Sequence, residues 1–269
     1  MTAEKNSHDA TPRRSRPLRV TLRLLAASGC VLLLCCGGCG YRFWQLSDPD
    51  NQITISPETT VYTEPLTASG DVDFITAMSD QLSEGVTPEN NAVVLLAEAF
   101  GPDELARDLR PEFFALLGVS DLPDEGDYLI GEFAYAEEVA NHKGFDPGEF
   151  SSTFSENREA AATRPWTPDE FPQVAALLEA NEAPLALVVE ASRRPRYFAP
   201  LVSDPDDPML FSVLLPIEQQ QREAVRQLTA RAMLRLGEGD ADGAWEDLLT
   251  CHRLSRLTAQ GWSLIGGLV

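Results

Sequence analysis

The sequence predicts a mainly α protein: an N-terminal transmembrane or signal-anchor helix followed by packed helical hairpins, with at most one or two short strands. Three observations lead there. An uncharged run of 18 residues, 24–41, follows a strongly basic segment. Beyond it, apolar residues recur at i, i+3 and i+4 spacings, the period of a half-buried helix. Pro at starts and Gly at stops punctuate those runs as helix ends.

Composition sets the outer bounds. The chain has 269 residues, 43% hydrophobic and 23% charged, which suits a globular body. The net charge of −21 is divided unevenly. Residues 1–45 hold seven Lys/Arg against Glu4 and Asp9, leaving 14 basic and 40 acidic residues, or −26, in 46–269. A body so acidic repels DNA, RNA and anionic headgroups, which proteins bind by neutralising phosphates. Four of five cysteines lie in the apolar run, so the body, with Cys251 alone, forms no internal disulfide. Its fold rests on its core.

The N-terminal region divides into a basic cytoplasmic segment (1–23), an anchor (24–44), a polar linker (45–51) and an extracytoplasmic body (52–269). Arg13, Arg14, Arg16, Arg19 and Arg23 precede the apolar run and Asp48 and Asp50 follow it. The positive-inside rule then holds the N-terminus in the cytoplasm and exports the body. Tyr41, Phe43 and Trp44 suit an aromatic belt at the outer interface. Two alternatives stay open. One is a lipoprotein anchored at Cys39, where Gly37-Gly38 suit cleavage but Cys36 replaces the usual Leu. The other is a cleaved secretory signal, although no A-x-A site follows the run.

Along the body, residues 52–55 alternate polar and apolar and read as one short strand. Val72, Ile75, Met78 and Leu82 place a helix over 71–82. Thr87-Pro88-Glu89 has the chemistry of a helix start, and the run it opens, apolar nearly all round, ends at Gly101. Pro111 opens a short helix closed by Gly118. Residues 119–165 are less regular, with two acidic turns, and any subdivision of the body falls near 144–165. Thr167-Pro168-Asp169-Glu170 repeats the helix-start chemistry before Phe171, Val174, Ala175, Leu178 and Asn181. Pro184 then starts a partner helix, giving an αα-hairpin. Residues 203–208 form a loop, Pro216 opens the longest helix, to about Gly237, and 241–259 forms the last. This last pair is like a tetratricopeptide hairpin. Gly239-Asp240-Ala241-Asp242-Gly243-Ala244 matches its turn, Ala232, Ala244 and Cys251 its small positions, and Leu228 and Leu248 its large ones. There is no second copy at the repeat period and no aromatic at Arg235. The apolar, uncapped end GWSLIGGLV suggests the N-terminal part of a longer helical protein.

The segments ETTVYTEPLTASGDVDF (58–74) and GVTPENNAVVLLAEAFGP (85–102), the Pro165-Trp166-Thr167 step and AWEDLLTCHRLSRL (244–257) together resemble an uncharacterised family. Its members are membrane-anchored, mostly helical proteins of planctomycete-type bacteria. The resemblance implies the anchor and a longer chain. It brings no activity, ligand or site residue.

The chemistry-bearing residues are sparse. There is no H-E-x-x-H, no G-x-S-x-G, no phosphate-cradling Gly-rich loop, and the body's histidines are His142 and His252. Cys251 and His252 are neighbours on a helix, about 100° apart, and cannot readily pair as nucleophile and base. Three acidic clusters invite Ca²⁺: Asp121/Asp124/Glu125/Asp127, Asp204/Asp206/Asp207 and Asp240/Asp242. None has full ligand spacing, so each reads as a solvated turn or a helix cap. Arg193-Arg194-Pro195-Arg196-Tyr197 is the one basic spot of the acidic body. It suits an acidic surface or an anionic ligand, and first of all the C-terminus of helix 184–193 and nearby carboxylates. Trp166, Trp245 and Trp262 read as packing residues. No catalytic, metal or cofactor residue is nominated. The expected function is a non-enzymatic interaction or scaffold module with a protein partner. The alternatives are a carboxylate-based hydrolase of envelope or exported polymers, needing two convergent acids with one pKa raised by burial, and a Ca²⁺-stabilised structural module.

Overall fold

The structure, a computed structural model, describes residues 37–38, 40–42, 54–203 and 216–261. Most of the anchor segment, the linker 45–51, Asp204/Asp206/Asp207 and Trp262 lie outside these residues. Among the described residues no helix is long and apolar enough to cross a membrane. The chain divides into two units, Met1–Val61 and Tyr62–Val269.

In the first unit, residues 54–55 are not strand; Gln52 and Ile53 lie outside the described residues. The chain there turns instead. Thr59 N and Thr60 N donate to Ser56 O at 3.1 and 3.0 Å, and the Thr59 hydroxyl donates to Thr54 O.

The second unit is mainly α: α1 (Phe74–Ser83), α2 (Ala92–Phe100), α3 (Arg110–Leu117), α4 (Glu132–Lys143), α5 (Pro147–Ala161), α6 (Pro172–Ala180), α7 (Glu182–Ala191), α8 (Pro216–Glu238) and α9 (Ala241–Thr258). Among the described residues β pairing amounts to two isolated bridges, Leu66 with Val72 and Asn91 with Arg196. The most extensive pairings are α8 with α9, α2 with α7 and α4 with α5. α2 is buried on almost every side, as its apolar run requires, and Leu96, Phe113, Trp166, Leu177, Leu185, Leu228 and Leu254 meet in one core.

Two helix starts differ from expectation in the same way. Thr87-Pro88 and Thr167-Pro168 do not enter their helices directly. Each Thr carbonyl closes a turn, accepting from Asn90 N at 3.1 Å and from Glu170 N at 2.9 Å, and the helices begin at Ala92 and Pro172. At α2 the residue that prevails is Asn91. Its Oδ1 accepts from Val93 N at 3.2 Å and from Phe198 N at 3.0 Å, while its Nδ2 donates to Phe198 O at 2.9 Å. One buried amide caps the helix and fixes a segment 107 residues away, which a Thr at position 87 cannot do. Asn91→Ala is expected to cost about 2 kcal/mol, from the lost cap and the orphaned Phe198 groups, read as a lowered urea midpoint at unchanged m.

Residues 119–165, expected to be irregular, carry the α4–α5 pair. The apolar stripe there is thin, built from Ala136, Ala140, Phe154 and Ala161, so its period is faint in the sequence. Its punctuation is sound: Gly144 ends α4 in a left-handed conformation, and Asp146 Oδ1 caps α5 by accepting from Glu149 N at 2.9 Å before Pro147. The expected hairpin over 172–191 is a corner instead. Asn181 alone separates α6 from α7, and the chief partner of α7 is α2.

The last two helices form as expected. Asp240 Oδ1 caps α9 by accepting from Gly243 N at 2.9 Å, and Ala232 and Ala244 are buried. Trp166 is buried against α8, its Nε1 donating to Ala230 O at 3.0 Å. Trp245 is not a packing residue: it is 66% exposed. Ala244 and Asp247 hold the inward face of α9, and Trp245, between them, turns outward.

Candidate functional site

An open cleft of about 640 Å³ lies on one side of the second unit. It lies between the loops after α2 and α3, the first turn of α4 and the start of α8. Its floor is positioned by a buried polar network. The Asn181 side chain binds the backbone of Ile130 twice, accepting from its N–H at 2.8 Å and donating to its C=O at 2.9 Å. Asn181 Nδ2 also donates to Gln227 Oε1 at 2.8 Å. Gln227 Nε2 in turn donates to Ile130 O and to Glu223 Oε1, both at 3.0 Å. Glu223 Oε1 accepts from Glu132 N at 3.1 Å, which seats the first turn of α4 on α8.

Glu132, buried at the cleft floor, is neutralised from within. The Ser155 hydroxyl donates to one carboxylate oxygen. Arg158 Nε lies 2.8 Å from the other, an ion pair too bent to count as a hydrogen bond. The rim is held by arginines outside the cleft. Asp124 accepts from Arg110 and, at 3.0 Å, from Arg107. The hydrogen bond from Arg110, then the Arg107 charge, hold the Asp124 carboxyl below the usual range. Tyr128 donates its hydroxyl to Pro123 O at 2.8 Å, and burial, with Asp103 and Asp124 nearby, raises its phenol. Phe133, 71% exposed, stands at the mouth. Six carboxylates line the cleft (Asp103, Glu104, Asp124, Glu125, Glu132 and Glu223) and no Lys or Arg does.

In the two acidic clusters that lie within the described residues, Asp124, Asp121 and Asp240 have structural partners. Asp124 serves Arg107 and Arg110, Asp121 Oδ1 accepts from Leu122 N at 2.8 Å, and Asp240 caps α9. Among the described residues no group of three or more His, Cys, Asp or Glu side chains is placed to hold a metal ion. Cys251 is partly buried, its thiol pushed up to about 11 by burial, and His252 is exposed. Of the basic spot, Arg193 neutralises a nearby carboxylate as expected, while the side chains of Arg194 and Arg196 bond carbonyls of the segment before α2 and not the C-terminus of their own helix. Arg194 Nη1 reaches back to Pro88 O at 2.6 Å and Asn91 O at 2.9 Å, Arg196 donates to Glu84 O, and Arg193 pairs with Glu246 at 2.7 Å.

One described carboxyl has a raised pKa: Glu218, pushed up by burial against a smaller opposing backbone hydrogen bond. It is not among the cleft's lining residues. Its Oε2 is buried without a hydrogen bond. Because the folded-state value exceeds the unfolded one, the folded protein holds this proton more tightly. That stabilisation is complete below the unfolded value, about 4.3, and is lost as pH rises through the folded one. Glu218→Gln is therefore expected to change little at pH near 4 and to raise stability at pH near 8, measured by urea unfolding at both. An unchanged difference between the two would contradict this.

Sequence reasoning missed Asn181 as a network centre, and Gln227, Glu223 and Asp247 altogether. Polar residues inside long helices carry no local mark of burial. The chain matches no protein-family model, no curated protein and no solved structure.

Proposed function

We propose that this chain is a membrane-anchored, extracytoplasmic helical interaction module whose cleft receives a basic segment of a protein partner. One observation carries the reading: an exposed aromatic, Phe133, stands in an open, internally braced cleft with Glu104 and Glu125, carboxylates without an arginine partner among the described residues, while Asp124, Glu132 and Glu223 of the same lining are already paired with arginines outside it. An aromatic anchor ringed by charge of one sign is the make-up of a protein-binding patch that selects the opposite sign. The buried floor acid, Glu132, has both oxygens engaged by Ser155 and Arg158, which favours a positioning role over proton transfer. The basic N-terminal segment and the apolar run 24–41 support the anchor and the export of the body. The resemblance of 58–74, 85–102 and 244–257 to the membrane-anchored planctomycete-type family supports the same placement. The α8–α9 pair, with Ala232 and Ala244 buried at its crossing, supports a tetratricopeptide-like hairpin within a scaffold.

The test is calorimetric titration of the full-length chain with an Arg/Lys-rich peptide and with its Asp/Glu-rich counterpart. The basic peptide is expected to bind, more weakly as salt rises, and about tenfold more weakly to Phe133→Ser. Equal binding of both peptides, or no effect of Phe133→Ser, contradicts the reading. Intact mass and alkaline carbonate extraction of the same protein test the anchor. A mass including residue 1 with retention in the membrane supports a spanning helix, and a lipid-modified mass starting at Cys39 replaces it with a lipoprotein.

A further inference from the structure

Arg194, Arg253 and Arg256 come together at the ends of α7 and α9. A second cavity, of about 170 Å³, is lined by Ser192, Arg194, Pro195, Arg253, Arg256, Leu257 and Gln260. Three guanidiniums therefore share one small cavity, with no carboxylate in its lining, on a body (52–269) of net charge −24. We propose that this cavity binds the phosphate group of a small free ligand, inorganic phosphate or a phosphate monoester.

The site is partly built before any ligand arrives. Arg194 is fixed by the two carbonyls that its Nη1 serves, Pro88 O and Asn91 O, while its Nε and Nη2 have no partner among the described residues. Arg253 is steered by Glu246, 2.8 Å from its Nη1. Arg256, one turn further along α9, makes no ion pair with any described residue and is exposed. Gln260 is fixed by donating Nε2 to Pro195 O at 3.3 Å.

Charge balance selects the ligand. Four arginines stand here, counting Arg193, which shares Glu246 with Arg253. Opposing them are that one carboxylate and the ends of α7 and α9, each worth about half a negative charge. Glu89 feels Arg194 only weakly, its carboxyl being lowered chiefly by a hydrogen bond from Thr87. About two positive charges remain, close to the complement of a phosphate at neutral pH. A phosphodiester, with a single charge, matches less well. Size agrees: an open cavity of about 170 Å³ has room for one phosphate group. Planar guanidiniums suit its oxygens through paired N–H donors. The acidic remainder of the surface opposes an extended anionic membrane. A small ion inside the cavity is shielded from charges more than about 10 Å away at 0.1 M salt.

The experiment titrates the full-length chain in neutral detergent with inorganic phosphate, against chloride at matched ionic strength. A parallel titration uses glycerophosphoglycerol, the soluble headgroup of an anionic phospholipid. Saturable phosphate binding that weakens about tenfold in Arg256→Gln, with the far-UV spectrum and melting temperature without ligand unchanged, is the expected result. Arg253→Gln is the second variant, expected to weaken binding similarly. No saturable phosphate binding would overturn the proposal. Binding indifferent to both substitutions would place the ion elsewhere and overturn it as well. Headgroup binding as tight as phosphate binding would assign the site to a lipid surface instead.

Discussion

Asp247→Ala is expected to lower stability by about 3–5 kcal/mol, the largest single effect in the molecule outside the apolar core. Asp247 is fully buried on α9 and receives two arginines of α8. Arg231 approaches with two donors, Nε to Oδ2 at 3.1 Å and Nη2 to Oδ1 at 2.7 Å. Arg235 Nη1 stands 2.8 Å from Oδ2 and also donates to Gly243 O at 3.0 Å, so it ties the start of α9 as well. Removing the carboxylate leaves two guanidiniums near the interior without their counter-charge, and that loss dominates the cost. The pair itself is not the source of net stability. The triple variant Asp247→Leu with Arg231→Met and Arg235→Met should therefore recover much of the loss, since a well-packed apolar cluster is often as stable as a buried ion triad. Urea unfolding of both variants reads the two numbers. A single variant within about 1 kcal/mol of the parent would show that water already reaches the pair.

Gly237→Ala is expected to cost about 2–3 kcal/mol, against the usual rule that Ala favours a helix over Gly by about 1 kcal/mol. Gly237 lies one residue before the end of α8, where the backbone of Trp166 crosses the helix. A Cβ there would sit 1.9 Å from Trp166 O, a backbone atom that cannot swing away. Trp166 is held in turn by its N–H to Met233 O at 3.4 Å and its indole N–H to Ala230 O. The substitution must push α8 off the segment between α5 and α6. Gly148→Ala, in the first turn of α5, is the contrast. Its Cβ would meet only Asp146 Oδ1, at 3.4 Å, so the helix preference should prevail and the variant should be neutral or slightly more stable. Thermal melts of the two separate a steric requirement from a general intolerance of change.

These two sites show where the sequence is legible and where it is not. The helical class, the long helix from Pro216 and the turn at Gly239-Asp240 all follow from periodicity and caps, because those signals are local. The Thr-Pro starts mislead because Thr87 and Thr167 close turns, while the real cap of α2, Asn91, is chosen by a partner 107 residues away. The α4–α5 pair is faint because alanines, not leucines, make its buried stripe. Trp245 reads as core by type, yet the helix face it would need is already occupied by Ala244 and Asp247. The cleft could not be read at all. Its carboxylates come from loops and helices spread from Asp103 to Glu223, and in a chain with 42 acids none stands out. The basic cavity is partly legible: Arg194 stands in a run conspicuous in sequence, but Arg253 and Arg256 join it only through the packing of α9 beside α7.

The account rests most heavily on the cleft as a binding surface. Hydrogen–deuterium exchange of the full-length chain, with and without the Arg/Lys-rich peptide, tests that directly. Added protection is expected in residues 100–104, 124–134 and 219–223, the segments that line the cleft, with the rest of the body unchanged. Protection spread evenly over the acidic surface, or confined to segments away from the cleft, would contradict it.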